Sequence, residues 1–242
     1  MMNLLPLGRS GLRVSEMCLG TMTFGEDWGW GADKATSTKL VEQFAEVGGN
    51  FIDTAEVYTE GSSEEFVGDI IAHDRDHWVV ATKYTPSRAT DASKSGNSRK
   101  NMMRAVELSL KRLKTDYIDL YWVHFPDGHT QVDEIMRGLD DLVRSGKVHY
   151  IGFSDFPAWM VAQAATMADL RGWAPVTALQ IEYSLIERTV EAELLPMARS
   201  LNLAITPWSP LAGGILTGKH LKGAEQGSRA DVGGLKADDP QR

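Results

Sequence analysis

Apolar residues along this chain follow two spacings, and the two alternate. Short apolar or alternating runs fall at residues 17–20, 50–53, 78–82, 117–123, 148–153, 178–182 and 203–206. Their length and their Val, Ile, Tyr and Trp content predict strands. Between them the spacing becomes helical. Leu40, Val41, Phe44 and Val47 share one face, with Asp33 placed to cap the helix and Gly48 to end it. Over 98–113, Met102, Val106, Leu110 and Leu113 fall on one side. Over 132–145, Val132, Ile135, Met136, Leu139, Leu142 and Val143 do the same, and Gly146 follows. Stretches 62–72, 157–168 and 190–200 fill the same role, with Pro196 expected to bend or shorten the last.

Strict alternation of strand and helix implies parallel strands with helices packed outside. An open doubly wound sheet would favour a G-x-G-x-x-G turn after the first strand, and residues 20–25 (GTMTFG) lack it. The predicted fold class is therefore α/β, a (β/α)8 TIM barrel. It is preceded by a β-hairpin within residues 1–16, where apolar segments 4–7 and 12–15 flank a Gly-Arg-Ser-Gly turn. One domain over 1–242 is expected. Residues 220–242 are polar and Gly-rich, without an apolar run of strand length, so an eighth strand is not evident. The expectation is a barrel incomplete at that point, whose first and seventh strands are edges open to pairing with another chain in an oligomer.

Composition narrows the function classes. The 242 residues are 43% hydrophobic and 24% charged, an ordinary globular mixture. A net charge of -8 argues against a general nucleic-acid surface. The lone Cys18 excludes an internal disulfide and points to a reducing compartment. No run approaches the ~18 apolar residues of a membrane span, and no basic segment followed by an apolar one opens the chain. The expected location is cytoplasmic, without membrane insertion.

Polar residues then collect where strands end. Asp53 ends the second run and Tyr58 follows in its loop; Lys83 ends the third and His124 the fourth. In a barrel those ends share one rim, where active sites are built. An ammonium beside a phenol favours the phenolate, so Lys83 is expected to lower the pKa of Tyr58 while Asp53 holds the lysine. With His124 orienting a carbonyl oxygen, the set makes a proton donor and an oxyanion site suited to carbonyl reduction.

The segments 51–58 (FIDTAEVY), 82–83 (TK), 119–124 (DLYWVH), 146–155 (GKVHYIGFSD), 180–184 (QIEYS) and 207–214 (PWSPLAGG) occur in an order and spacing that resemble the aldo-keto reductases, from the hairpin to about Lys219. The resemblance implies an oxidoreductase using NADP(H), with NAD(H) as the alternative, and a small-molecule carbonyl substrate. Asp53, Tyr58, Lys83 and His124 match the family's catalytic tetrad, with Tyr58 as general acid. Ser154, Asp155 and Gln180 match positions that hold the nicotinamide carboxamide. Asp155 stands where the family usually has Asn, and a carboxylate cannot donate to the carboxamide oxygen. Trp208 matches the aromatic that stacks on the ring. Ser209, Leu211, Gly213 and Lys219 match the pyrophosphate loop, which Arg229 would extend. Thr21 and Met22 match residues beside the cofactor. The family's adenine clamp has no counterpart in 220–242, which implies weaker cofactor binding. The Trp208-Ser209-Pro210-Leu211 loop also resembles the channel-associated β-subunit branch, which implies a redox-sensing subunit as an alternative; a truncated, inactive reductase is another.

The remaining features have plainer readings. Trp28, Trp30, Tyr84 and Phe125 are candidates for the substrate wall, with loop exposure or core packing as equal alternatives. Residues 73–77 (HDRDH) carry metal-ligand types, but they sit at the opposite end of the barrel and read as a solvated loop, so no metal is expected. Arg99, Lys100, Arg104, Lys111, Arg112 and Lys114 read as the wet face of one helix.

Overall fold

The structure, a computed structural model, describes residues 1–87 and 91–218. It opens with a hairpin of β1 (Leu4–Pro6) and β2 (Arg13–Ser15), paired antiparallel. Seven parallel strands follow in sequence order: β3 (Leu19–Gly20), β4 (Phe51–Asp53), β5 (Val79–Tyr84), β6 (Ile118–Val123), β7 (Val148–Ser154), β8 (Val176–Glu182) and β9 (Ala204–Trp208). Among the described residues six α-helices connect them: α1 (Lys34–Glu46), α2 (Ser62–Ile71), α3 (Arg99–Leu113), α4 (Val132–Arg144), α5 (Ala158–Arg171) and α6 (Leu194–Ser200). This is the curled parallel sheet of an α/β barrel. Among the described residues it has seven strands, with β3 and β9 at its edges. The expectations for Lys219, Arg229 and the tail 220–242 lie outside the described residues. No helix among the described residues is long and apolar enough to cross a membrane.

The strands sort their side chains by alternation, and the sorting positions the site. On the concave side, Phe51, Val79, Ala81, Leu120, Trp122 and Ala178 form one buried cluster, sealed by Leu7 and Val14 of the hairpin. The hairpin is thus the floor of the barrel. Residues between these positions face outward into a larger cluster with the helices: Ile52, Val80, Tyr121, Val123, Ile151, Phe153 and Leu179 belong to it. Continuing the inward series up the strands from Phe51, Ala81, Trp122 and Ala178 reaches Asp53, Lys83, His124 and Gln180. The floor is apolar and the mouth is polar.

Helix ends follow local chemistry. The Asp33 carboxylate accepts the Thr36 backbone N–H at 2.8 Å, and Ser98 Oγ accepts that of Asn101 at 3.3 Å. On α3, Met102, Val106, Leu110 and Leu113 are buried as their spacing predicts. On α1 only Val41 and Phe44 of the predicted face are buried; Leu40 and Val47 are exposed. A thirteen-residue helix docked on one side buries a narrower stripe than its apolar residues span. Of the two outcomes expected at Pro196, shortening is the one seen: α6 covers Leu194–Ser200 rather than the whole of 190–200. Pro196 lies in the first turn of the short α6, where backbone N–H groups have no intrahelical acceptor and proline costs little.

Gly152 is required by packing. A Cβ there would lie 2.4 Å from Cζ3 of Trp122 and 2.8 Å from the Ala178 carbonyl oxygen. Only glycine leaves room for the Trp122 indole inside the barrel, and that indole holds Asp53.

Candidate active site

Asp53 is the hub. Its Oδ2 accepts Lys83 Nζ in a very short ion pair, and its Oδ1 accepts Trp122 Nε1 at 3.0 Å and Gln180 Nε2 at 3.1 Å. Four strands therefore converge on one carboxylate. The Lys83 side chain is fully buried, an arrangement that is costly for a cation without partners. It has three: Asp53, the Thr54 carbonyl at 3.0 Å, and Tyr58 Oη at 3.0 Å. Nζ also lies 4.6 Å from the centroid of the Tyr58 ring. Burial works to lower the lysine pKa, but Asp53 and Tyr58 outweigh it and hold it above the ordinary value, so Lys83 is an ammonium.

The sequence expectation for Tyr58 is corrected in one respect. Burial pushes its phenol pKa up, and the opposing pull of Lys83 does not offset this, so the net direction is upward. Tyr58 is a neutral phenol within contact of a cation. His124 meets it edge-on, with centroids 5.9 Å apart and planes at 79°. Burial, and then Lys83, push the imidazole down to about 3, so the ring is neutral. Its Nδ1 is buried without a hydrogen-bond partner among the described residues. Proton placement on Nε2 leaves that buried nitrogen lone and makes the other nitrogen a donor.

A cavity of about 530 Å³ opens over these groups. Asp53, Tyr58 and His124 line one part of it; Met22, Ser154, Asp155 and Gln180 line another; Trp208, Ser209 and Gly213 form its rim. Asp155 is in the left-handed region at φ 54, and its Oδ1 accepts Trp208 Nε1 at 3.0 Å. Burial raises the Asp155 pKa against the lowering effect of that bond. The indole is thus fixed at the rim while remaining 39% exposed.

Other predicted site residues do not reach the cavity wall. Thr21 is fully buried, with Oγ1 donating to the Asp53 carbonyl at 3.0 Å and contacting Ser63 Oγ at 2.8 Å. Leu211 is 54% exposed outside it. In the rim loop the Ala212, Gly213 and Gly214 amides bond within the loop, to the Ser209 carbonyl, Ser209 Oγ and the Leu211 carbonyl. None of the four substrate-wall candidates lines the cavity. Tyr84 is excluded by alternation: Lys83 points in, so Tyr84 points out, where it is fully buried and stacks on Tyr121 at 5.2 Å. Trp28 and Trp30 pack on each other at 6.0 Å, and Phe125 lies 5.4 Å from His124.

Sequence reasoning missed Trp122, though alternation back from His124 finds it. It also missed Cys18, Glu182 and Pro207, which line the cavity. The solvated-face reading of α3 fails for two residues. Arg104 pairs with Glu56 at 2.7 Å and Arg112 with Glu64 at 3.2 Å, and both carboxylates are buried. At the far end Arg75 is also engaged, with Asp119 at 2.7 Å. Among the described residues no group of three or more His, Cys, Asp or Glu could hold a metal ion.

Residues 16–237 match the model of the aldo/keto reductase family. A norsolorinic acid reductase of Aspergillus flavus is 40% identical over 231 residues, which is 91% of this chain and 58% of that protein. An uncharacterized oxidoreductase of Bacillus subtilis, YrpG, is 43% identical over 240 residues, 93% of this chain and 72% of that protein. An aryl-alcohol dehydrogenase [NADP(+)] of Phanerodontia chrysosporium is 42% identical over 219 residues, 84% of this chain and 57% of that protein. The chain thus spans little more than half the length of the two fungal relatives.

Proposed function

The chain belongs to the aldo/keto reductase family, and on that premise we propose that it reduces an aldehyde or ketone to an alcohol with NADPH. The observation that carries this reading is the contact of Tyr58 Oη with Lys83 Nζ at 3.0 Å, at the wall of a cavity large enough for a cofactor ring and a substrate. The preference for NADP(H) over NAD(H), and for an aryl carbonyl, follows the name of the aryl-alcohol dehydrogenase [NADP(+)] of Phanerodontia chrysosporium.

The cavity's donor set fits a nicotinamide. An exposed indole face, Trp208, stands beside a cluster of amide-recognising groups. Gln180 gives its N–H to Asp53, which leaves its carbonyl oxygen as an acceptor. Asp155 is a second acceptor, so an amide N–H rather than an amide oxygen would face it. Ser154 can donate or accept. Met22 would flank the ring, and the Ser209 hydroxyl would meet the pyrophosphate, since the Gly213 amide is engaged by Ser209 Oγ. When bound, the reduced nicotinamide supplies hydride to the carbonyl carbon.

The chain's own residues manage the proton. Tyr58 donates from Oη to the carbonyl oxygen, and its upward-shifted pKa keeps that proton available at neutral pH. Lys83 stabilises the phenolate left behind, while Asp53 balances the lysine's charge. His124, neutral and with no partner on Nδ1 among the described residues, donates from Nε2 to the same oxygen. The test is NADPH consumption with a panel of aromatic and aliphatic aldehydes and ketones, repeated with NADH. Turnover of at least one carbonyl, faster with NADPH, is expected. No turnover by folded protein that binds NADPH would refute the proposal.

A further inference from the structure

Tyr58 sits at the start of a loop whose backbone is unfavourable. Thr59 and Glu60 have φ of 44° and 57°, a region that L side chains resist, and Gly61 follows at 105°. Three consecutive left-handed residues persist only where surrounding groups fix them. Thr59 is fixed from one side: its Oγ1 donates to the Phe24 carbonyl at 2.5 Å and accepts the Ser63 N–H at 3.1 Å. From the other side a single guanidinium spans the loop. Arg112 Nη1 donates to the Glu56 carbonyl at 2.9 Å, and Nη2 donates to the Glu60 carbonyl at 3.3 Å. These carbonyls bracket Tyr58 in the chain. The guanidinium lies so close to Gly61 that a Cβ there would be 2.2 Å from Cζ, so glycine is needed for the contact.

The same guanidinium is tied to the strand that carries the lysine. Arg112 Nη1 also donates to Glu64 Oε2 at 3.2 Å, and Thr82 Oγ1 donates to Glu64 Oε1 at 2.7 Å. Thr82 precedes Lys83 and faces outward where Lys83 faces inward. Arg104 adds a second tie, to Glu56 Oε1 at 2.7 Å. We infer that Arg112, on the outer face of the barrel, is a positioning residue that sets the register of Tyr58 against Lys83 by clamping the carbonyls of Glu56 and Glu60. It is not among the residues that line the cavity. The planar fork matters, because two separate nitrogens, Nη1 and Nη2, hold the two carbonyls in fixed directions, which the single nitrogen of a lysine does not reproduce. The catalytic consequence rests on the role proposed for Tyr58; the clamp itself does not.

The experiment uses the full chain with NADPH bound and three variants. Arg112→Met removes the fork, and Arg112→Lys keeps only the charge. The double variant Glu64→Gln with Arg112→Met also removes the charge that would otherwise be left buried alone, and so guards against simple misfolding. Hydrogen exchange is read at residues 56–61 and across β5, alongside kcat and the Kd for NADPH. The expected result for Arg112→Met and the double variant is exchange at least tenfold faster in 56–61 and unchanged in β5. With it, kcat falls at least tenfold and Kd stays within threefold. Arg112→Lys should recover less than half of either loss. Unchanged exchange in 56–61, equal loosening of β5, or a kcat that survives a loosened loop would each overturn the inference. If the unaltered protein reduces no carbonyl, the proposed reaction fails, and the exchange pattern alone still decides whether the clamp exists.

Discussion

Asparagine at position 53 removes the only carboxylate that Lys83 touches among the described residues, and it leaves a fully buried ammonium without that counter-ion. The other donors suffer less, because the amide oxygen can still accept from Trp122 or Gln180. Breaking a buried pair from one side typically costs about 3–5 kcal/mol. Lys83 can escape by losing its proton, and that escape caps the cost. From an ordinary lysine value of about 10.4, deprotonation at pH 7 costs about 3.4 × 1.36, or ~4.6 kcal/mol. At pH 9.5 the same product is only ~1.2 kcal/mol. The penalty of Asp53→Asn should therefore be about 3–5 kcal/mol at pH 7 and shrink by up to about 1.4 kcal/mol per pH unit as pH rises. The sign follows from the unaltered protein, where the lysine pKa is raised: its stabilising effect is complete below ~10.4 and is lost only as pH rises above that. Urea unfolding followed by circular dichroism at pH 7, 8.5 and 9.5 measures this. At pH 7 the loss would lower Tm by roughly 6–20 °C. Lys83→Met should cost less, because Asp53 keeps its two neutral donors. A penalty below ~1 kcal/mol, or one that does not change with pH, would refute the picture of a buried ammonium held by Asp53.

Three further outcomes are expected. Because His124 is held neutral down to about pH 3, the unfolded chain binds its proton first, and stability should fall by roughly 1 kcal/mol per pH unit below 6.5. His124→Gln should flatten that slope in unfolding titrations between pH 7 and 5. Gly152→Ala should cost about 1–3 kcal/mol through overpacking against Trp122, read by chemical unfolding, with a lowered kcat as the indole shifts off Asp53. The upward-shifted Tyr58 phenol should keep the rate of carbonyl reduction level from pH 7 to 9; a decline centred near pH 8 would contradict the dominance of burial over Lys83.

Most of the architecture was legible because strand and helix periods alternate cleanly along the chain. The candidate tetrad was legible for the same reason: polar residues at the ends of apolar strands stand out. What failed was orientation. Tyr84 looks like a rim aromatic until the period of two is carried through Lys83, which sends it to the helix side with Tyr121. Trp122 was within reach of the same rule, but nothing in sequence shows that its indole would meet a carboxylate two strands away in the sheet, on β4. Arg104 and Arg112 were misread because charge on an amphipathic helix usually faces water; their carboxylate partners, Glu56 and Glu64, lie far off in sequence. The direction of the Tyr58 pKa was missed because pair attraction is readable from residue types, whereas burial is not.

The central claim is that Tyr58 delivers the proton while the cavity around it binds cofactor independently. Its most direct test is Tyr58→Phe, measured for NADPH binding by fluorescence quenching and for turnover of whichever carbonyl the unaltered protein reduces best. The account predicts a Kd within about threefold of the unaltered protein and a kcat lower by about 10²-fold or more. A kcat near that of the unaltered protein would contradict it.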